Sequence, residues 1–281
     1  MRFDCIILDF DGTFTEVEKE AQPFLDAYRA EVAELIGDDV AQQWESLEKQ
    51  VRTDPGSYGW RFDGRVVAPA NADPYLRATV VTNLLLDARG ILPDLAERDA
   101  ILQRLYADNY PKARAAFRDD ARAVIEALID TGVPVYVVTN SAGDAVAAKL
   151  DELAPRGRDR LQIRGGARKY MVTEARPMDE RFASIPEEER LPGLARPIYL
   201  RRGRYYELLR DVWEATGASP DRTIIIGDIY ELDLAMPARL GVEAHLLARP
   251  TTPPHERQAV LDHGGTVSTT LTDALRTLLS A

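Results

Sequence analysis

Asp9 and Asp11 close an apolar run, in Cys5-Ile6-Ile7-Leu8-Asp9-Phe10-Asp11-Gly12-Thr13. Such a run suits a buried strand, and residues two apart in extended chain project to one side. Both carboxylates are therefore expected to face one spot. Like charges held that close in a buried setting repel strongly unless a cation or proton intervenes, and a divalent metal is the natural candidate. A calcium loop fails on spacing: no further acid or asparagine alternates after Gly12, and Glu16 comes too early to close one. For these residues taken alone, an ordinary aspartate turn is the plain alternative.

Two later strand ends add to the picture, because ligands of open parallel sheets bind beyond the carboxyl ends of the strands. After Val137-Val138 come Thr139-Asn140-Ser141, hydroxyls and amides at the start of a helix that suit a phosphate or another anion; a simple helix cap is the structural use of the same triplet. After Ile224-Ile225-Ile226 come Gly227-Asp228 and, five residues on, Asp233, which bring more carboxylates to the same edge.

The elements that position these residues follow from periodicity. Residues 16–36 read as a helix stopped at Gly37, with further helices over 40–51, 75–88 and 95–109 and a short hairpin turning at Asp63-Gly64. From Asp120 onward helix and strand alternate, with strands at 134–139, 161–164, 223–227, 242–247 and 266–268, a rhythm that implies a parallel sheet. The predicted fold class is α/β: a Rossmann-like parallel sheet with helices on both faces, residues 1–15 and 117–281, and an inserted, mainly helical cap over 16–116 that can act as a lid. Residues 170–200, rich in Pro, Arg and Glu, read as a secondary insertion within the core, either a surface excursion, a small second cap or an oligomer contact.

A net charge of −11 and a pI near 4.9 argue against nucleic-acid or membrane surfaces and for a small soluble substrate. The single cysteine, Cys5, can form no internal disulfide and is expected to pack as a small hydrophobe. No run approaches the length of a membrane span and Met1-Arg2-Phe3-Asp4 lacks a secretory pattern, so the expected location is cytoplasmic. The spacing of His245, His255 and His263 suits no metal site, and structural roles are expected for them.

In their order on successive strand ends, Asp9-Phe10-Asp11-Gly12-Thr13, Thr139-Asn140-Ser141 and Gly227-Asp228 with Asp233 resemble the first, second and fourth motifs of the haloacid dehalogenase-like (HAD) hydrolase superfamily. The resemblance covers the α/β core. The helical insertion is similar in position to that family's C1 cap, and residues 170–200 occupy the place of its C2 insertion. What this resemblance implies is a magnesium-dependent phosphomonoester hydrolase acting on a small phosphorylated metabolite. Asp9 would be the nucleophile that forms an aspartyl-phosphate, and Asp11 the general acid and base. Thr139 and the Asn140 amide would bind the phosphoryl oxygens. The Mg²⁺ ligands would be Asp9, the backbone carbonyl of Asp11 and Asp228, with Asp233 a ligand or a partner behind them. A second acid at the Asp11 position accompanies phosphoryl transfer rather than dehalogenation in this family. The third motif calls for a lysine or arginine, for which Lys169, Arg201 and Arg202 are candidates; Lys169 is favoured as a compact point charge for a carboxylate and phosphate pair. A phosphomutase would use the same aspartates, and a non-catalytic binding or regulatory protein would keep the fold without turnover.

Overall fold

Strand β1 (Cys5–Leu8) is buried along its whole length. Beyond it Phe14 N donates to Phe10 O (2.9 Å), a turn that ends the extended conformation before Asp11. The computed structural model describes residues 2–70 and 73–280 and divides into two compact units, Met1–Glu16 with Phe117–Ala281, and Val17–Ala116. Where the chain leaves and re-enters the first unit, Thr15 and Phe117 form an antiparallel bridge.

The second unit comprises helices α1 (Val17–Ile36) and α2 (Ala41–Thr53), the hairpin β2 (Gly59–Phe62) and β3 (Arg65–Pro69), and helices α3 (Pro74–Arg89) and α4 (Leu95–Asn109). Asp63 and Gly64, at φ 49° and 73°, supply the two left-handed residues that a tight hairpin turn demands. The Asp73 side chain caps α3 by accepting from Tyr75 N and Leu76 N, and Gly90 ends that helix in the left-handed conformation. Phe24, Tyr28, Trp44, Val81 and Leu85 form its apolar core. The aromatic residues of the insertion thus mostly pack on one another.

In the first unit the chain runs α5 (Ala121–Asp130), β4 (Val135–Val138), α6 (Gly143–Leu153), β5 (Leu161–Arg164), α7 (Glu180–Ala183), β6 (Glu188–Arg190), β7 (Pro197–Tyr199), α8 (Gly203–Thr216), β8 (Thr223–Gly227), α9 (Ala235–Ala238), β9 (Glu243–Leu247), α10 (Pro254–Asp262), β10 (Thr266–Ser268) and α11 (Leu271–Ser280). Six of the strands form one sheet, ordered β10-β9-β8-β1-β4-β5. Every neighbouring pair in it is parallel. This is the Rossmann-like α/β fold that the alternation predicts. From β1 the chain adds β4 and β5 on one side and then β8, β9 and β10 on the other, so the ends of β1 and β8 flank the switch point where such sheets bind ligands.

Alternate residues of β1 feed opposite layers. Ile6 and Leu8 pack with Val124, Leu128 and Val146 of α5 and α6 and Leu278 of α11, whereas Cys5 and Ile7 pack with Tyr205, Leu209 and Val212 of α8 and Val260 of α10. Burial pushes the Cys5 thiol up to about 12, consistent with packing rather than reactivity. Residues 170–200 join the second layer: Phe182, Ile185, Leu191, Ile198 and Leu200 are buried in it, the Asp179 side chain caps α7 through Phe182 N, and β6 pairs antiparallel with β7. Among the described residues no helix is long and apolar enough to cross a membrane.

Candidate active site

Asp9 follows β1 directly, and its backbone N donates to Ile226 O of β8 (2.8 Å), so the pairing of the two strands sets its position. Its carboxylate is 9 % exposed. Lys169 Nζ donates to Asp9 Oδ1 (2.7 Å) and also to Asp233 Oδ1 (2.9 Å), while the Thr13 hydroxyl donates to Asp9 Oδ2 (3.2 Å). Asp233 Oδ2 in turn accepts from Ile229 N (3.0 Å), and the Tyr205 hydroxyl donates to Asp233 O (2.9 Å). Asp9, Asp228 and Asp233 each present an oxygen within 4.8 Å of the others.

Two glycines make this crowding possible. A Cβ at Gly12, where φ is +85°, would lie 2.2 Å from Asp228 Oδ2; one at Gly227 would lie 2.5 Å from Asp233 Cβ. No other residue type fits either position without displacing a carboxylate.

The charges do not balance. Three carboxylates share one ammonium, Lys169, and one guanidinium, Arg249, whose Nε is 2.9 Å from Asp228 Oδ2. Counting −3 and +2 leaves −1 in a largely buried site. Burial, with the neighbouring Asp233 and Asp228, pushes Asp9 well above the usual carboxylate range against the pull of Lys169. Burial likewise pushes Asp228 up to about 7 despite Arg249. Lys169 is itself disfavoured by burial, yet Asp233 and Asp9 outweigh that and hold it firmly protonated. Asp228 Oδ1 is buried and accepts no hydrogen bond from the described residues. A hard divalent cation fits this donor set: it supplies the missing charge and gives that oxygen a partner.

Asp11 departs from expectation. Its side chain does not join the Asp9 cluster. Asp11 Oδ2 accepts from the Ser141 hydroxyl (2.6 Å), Oδ1 accepts from Lys149 Nζ (2.9 Å), and the Thr139 hydroxyl lies 3.5 Å from Oδ2. The two-residue alternation holds only in extended chain, and Asp11 already lies in the turn that follows β1. Asp11 is partly exposed, at 24 %, on the side of the site formed by the end of β4 and the start of α6.

Thr139 is buried and its Oγ accepts from Ser141 N (3.1 Å). Asn140 Oδ1 accepts from Lys169 N (2.7 Å), and Ala167 N donates to Thr139 O (2.9 Å), so the loop after β5 is zipped to the loop after β4 and Lys169 is aimed from there. Of the third-motif candidates, Lys169 alone reaches Asp9. Arg202 is fully buried but donates to the Lys169 backbone carbonyl and lies 3.7 Å from Glu231, bracing the lysine's loop instead of meeting the carboxylates. Its burial lowers it to about 10, against the opposing pull of Glu231. Arg201 bonds Ile185 O and Glu174 farther out.

Sequence reasoning passed over Lys149, Ser141 as a partner of Asp11, and Arg249. Arg249 follows the apolar run of β9 as Asp228 follows β8, so applying the strand-end rule to every strand finds it. Lys149 gives no such signal, because it lies inside a helix and meets Asp11 only through the pairing of β1 with β4.

A family model described as haloacid dehalogenase-like hydrolase matches residues 3–241. Among solved structures, a predicted phosphoglycolate phosphatase from Haemophilus somnus aligns over 99 % of both chains at 14 % identity and a TM-score of 0.54. A HAD family hydrolase from Deinococcus radiodurans, solved with bound phosphate and sodium, covers 99 % of this chain and 96 % of its own at 19 % identity and a TM-score of 0.51. A provisionally named HAD-hydrolase from Bacillus subtilis, bound to magnesium, covers 99 % of both chains at 13 % identity and a TM-score of 0.52. These three show a shared fold. No protein of curated function matches the chain.

Proposed function

The chain belongs to the haloacid dehalogenase-like hydrolase family, and we propose that it hydrolyses phosphomonoesters of a small soluble metabolite through an aspartyl-phosphate on Asp9. The observation that carries this reading is the clamp on Asp9: one carboxylate oxygen on Lys169, the other on Thr13, with Asp228 and Asp233 packed beside it. A carboxylate so held is a fixed nucleophile; burial raises it, Lys169 pulls against that rise, and a bound cation would supply the further positive charge that favours its ionised form.

In the first step a bond forms between an Asp9 oxygen and phosphorus as the bond from phosphorus to the leaving oxygen breaks, and Asp11 supplies the proton that oxygen needs. In the second, water attacks the same phosphorus, Asp11 takes the water's proton, and the bond to Asp9 breaks to give inorganic phosphate. Asp11 reaches this role by leaving Ser141 and Lys149 once substrate is present. Thr139 and the Asn140 amide hold the phosphoryl oxygens. Asp9 and Asp228, with the Asp11 backbone carbonyl, would hold Mg²⁺, whose charge offsets the carboxylates and the phosphoryl oxygens. Both Asp233 oxygens already accept hydrogen bonds, so its part is to hold Lys169. Magnesium in the Bacillus subtilis structure supports the choice of metal.

The test is phosphate release from p-nitrophenyl phosphate by wild type and Asp9→Asn, with Mg²⁺ and with chelator. Magnesium-dependent release that disappears in a folded Asp9→Asn supports the proposal, and equal release by the two proteins refutes it. A phosphomutase predicts instead transfer between sugar positions without free phosphate.

A further inference from the structure

The helical unit contains a polar cavity of its own, of about 120 Å³, between α1, α2 and α3. At its base lies Arg77, only 2 % exposed. Its guanidinium grips Glu18 through both oxygens (3.1 and 2.7 Å) and Glu48 at 2.8 Å. Arg52 closes the circuit, 3.0 Å from Glu48 and 3.6 Å from Glu18. The four charges alternate and cancel. One further guanidinium lines the cavity, Arg29, set 5.3 Å over the Trp44 ring and in no ion pair among the described residues. Leu25, Ala78 and Val81 supply an apolar wall.

From this arrangement we infer that the helical unit binds a small organic monocarboxylate, its carboxylate on Arg29 and Arg52 and its short carbon body against Leu25, Ala78 and Val81. The lining carries three guanidiniums against two carboxylates, a surplus of +1 that repels a cation and is left uncompensated by a neutral ligand. The ion-pair circuit holds the walls in place, so little ordering is required on binding. A cavity of 150 Å³ accommodates the six carbons of benzene, so about five non-hydrogen atoms are enclosed here. The planar Arg29 guanidinium, supported on the Trp44 ring, matches a carboxylate in two-point geometry. The inference does not depend on phosphatase chemistry at Asp9.

The experiment follows the indole N–H resonance of Trp44, assigned with Trp44→Phe, while sodium lactate is titrated against matched sodium chloride. The expected result is a saturable shift with lactate alone, unchanged in Asp9→Asn and at least 10-fold weaker in Arg29→Gln. A shift that fails to saturate, that chloride reproduces, or that survives intact in Arg29→Gln overturns the site. Absence of phosphatase activity with an intact lactate titration would refute the proposed function and leave this site standing.

Discussion

Replacing Lys169 by Met removes the one ammonium between two buried carboxylates. Its Nζ is 2.7 Å from Asp9 and 2.9 Å from Asp233, and its side chain is 1 % exposed. At an effective dielectric of about 20 each contact is worth roughly 6 kcal/mol of gross attraction, most of it offset by burying the charges. Removing one partner of such a pair costs about 3–5 kcal/mol, because the other is left buried and uncompensated. The expected loss for Lys169→Met, measured by urea unfolding with circular dichroism at pH 7, lies in that range. The sharper expectation concerns Asp233→Asn. In the wild type it should destabilise; added to Lys169→Met it removes surplus negative charge, so it should be neutral or recover about 1–3 kcal/mol. A loss under about 1 kcal/mol for Lys169→Met, or equal costs of Asp233→Asn in both backgrounds, would refute the claim that charge neutralisation organises this cluster.

Three further outcomes are expected. His245, bonded to the hydroxyls of Thr266 (2.7 Å) and Ser268 (2.8 Å), is lowered by burial to about 4. A histidine depressed from its ordinary 6.5 binds its proton in the unfolded chain first, so stability is full above about pH 6.5 and falls by about 3 kcal/mol as pH drops toward 4; unfolding of His245→Asn should lack that component, and an unchanged pH slope would contradict it. Gly12→Ala, which forces a Cβ to within 2.2 Å of Asp228 at positive φ, should cost about 2 kcal/mol and weaken Mg²⁺ binding by calorimetry at least 10-fold; unaltered binding would show that Asp228 moves freely. Phe182→Ala should cost about 3–5 kcal/mol, since Phe182 is fully buried with its ring 5.0 Å from Tyr206; a cost below 1 kcal/mol would mean that residues 170–200 are held apart from the core.

Much of the α/β rhythm was legible because short strands such as Cys5–Leu8 and Thr223–Gly227 are apolar throughout and bounded by glycine or acid. Strand ends likewise located Asp9, Thr139, Lys169 and Asp228, since a parallel sheet brings every carboxyl end to one edge. Side-chain direction was not legible. The turn after β1 carries Asp11 to Ser141 and Lys149, and no periodicity within the first motif encodes partners from α6. The π-helical turn over Tyr230–Leu234, where Asp233 Oδ2 accepts from Ile229 N, was not legible either. For Arg202, nearness to the start of α8 in sequence gave no information about depth; it is buried against the lysine's carbonyl and acts one layer behind.

The central place of β1 has a consequence for biosynthesis. Its neighbours in the sheet are β4 and β8, the former beginning at Val135, so during translation the first strand emerges well before either partner. At roughly 5–20 residues per second, making the intervening stretch takes on the order of 6–25 s. Throughout that interval Cys5-Ile6-Ile7-Leu8 is an unpaired apolar segment on a nascent chain, while the helical unit, complete by Ala116, can already have assembled. Asp9 is thus made well before the strands that set it in its final surroundings, and the demand for chaperone cover falls on the apolar segment that precedes it.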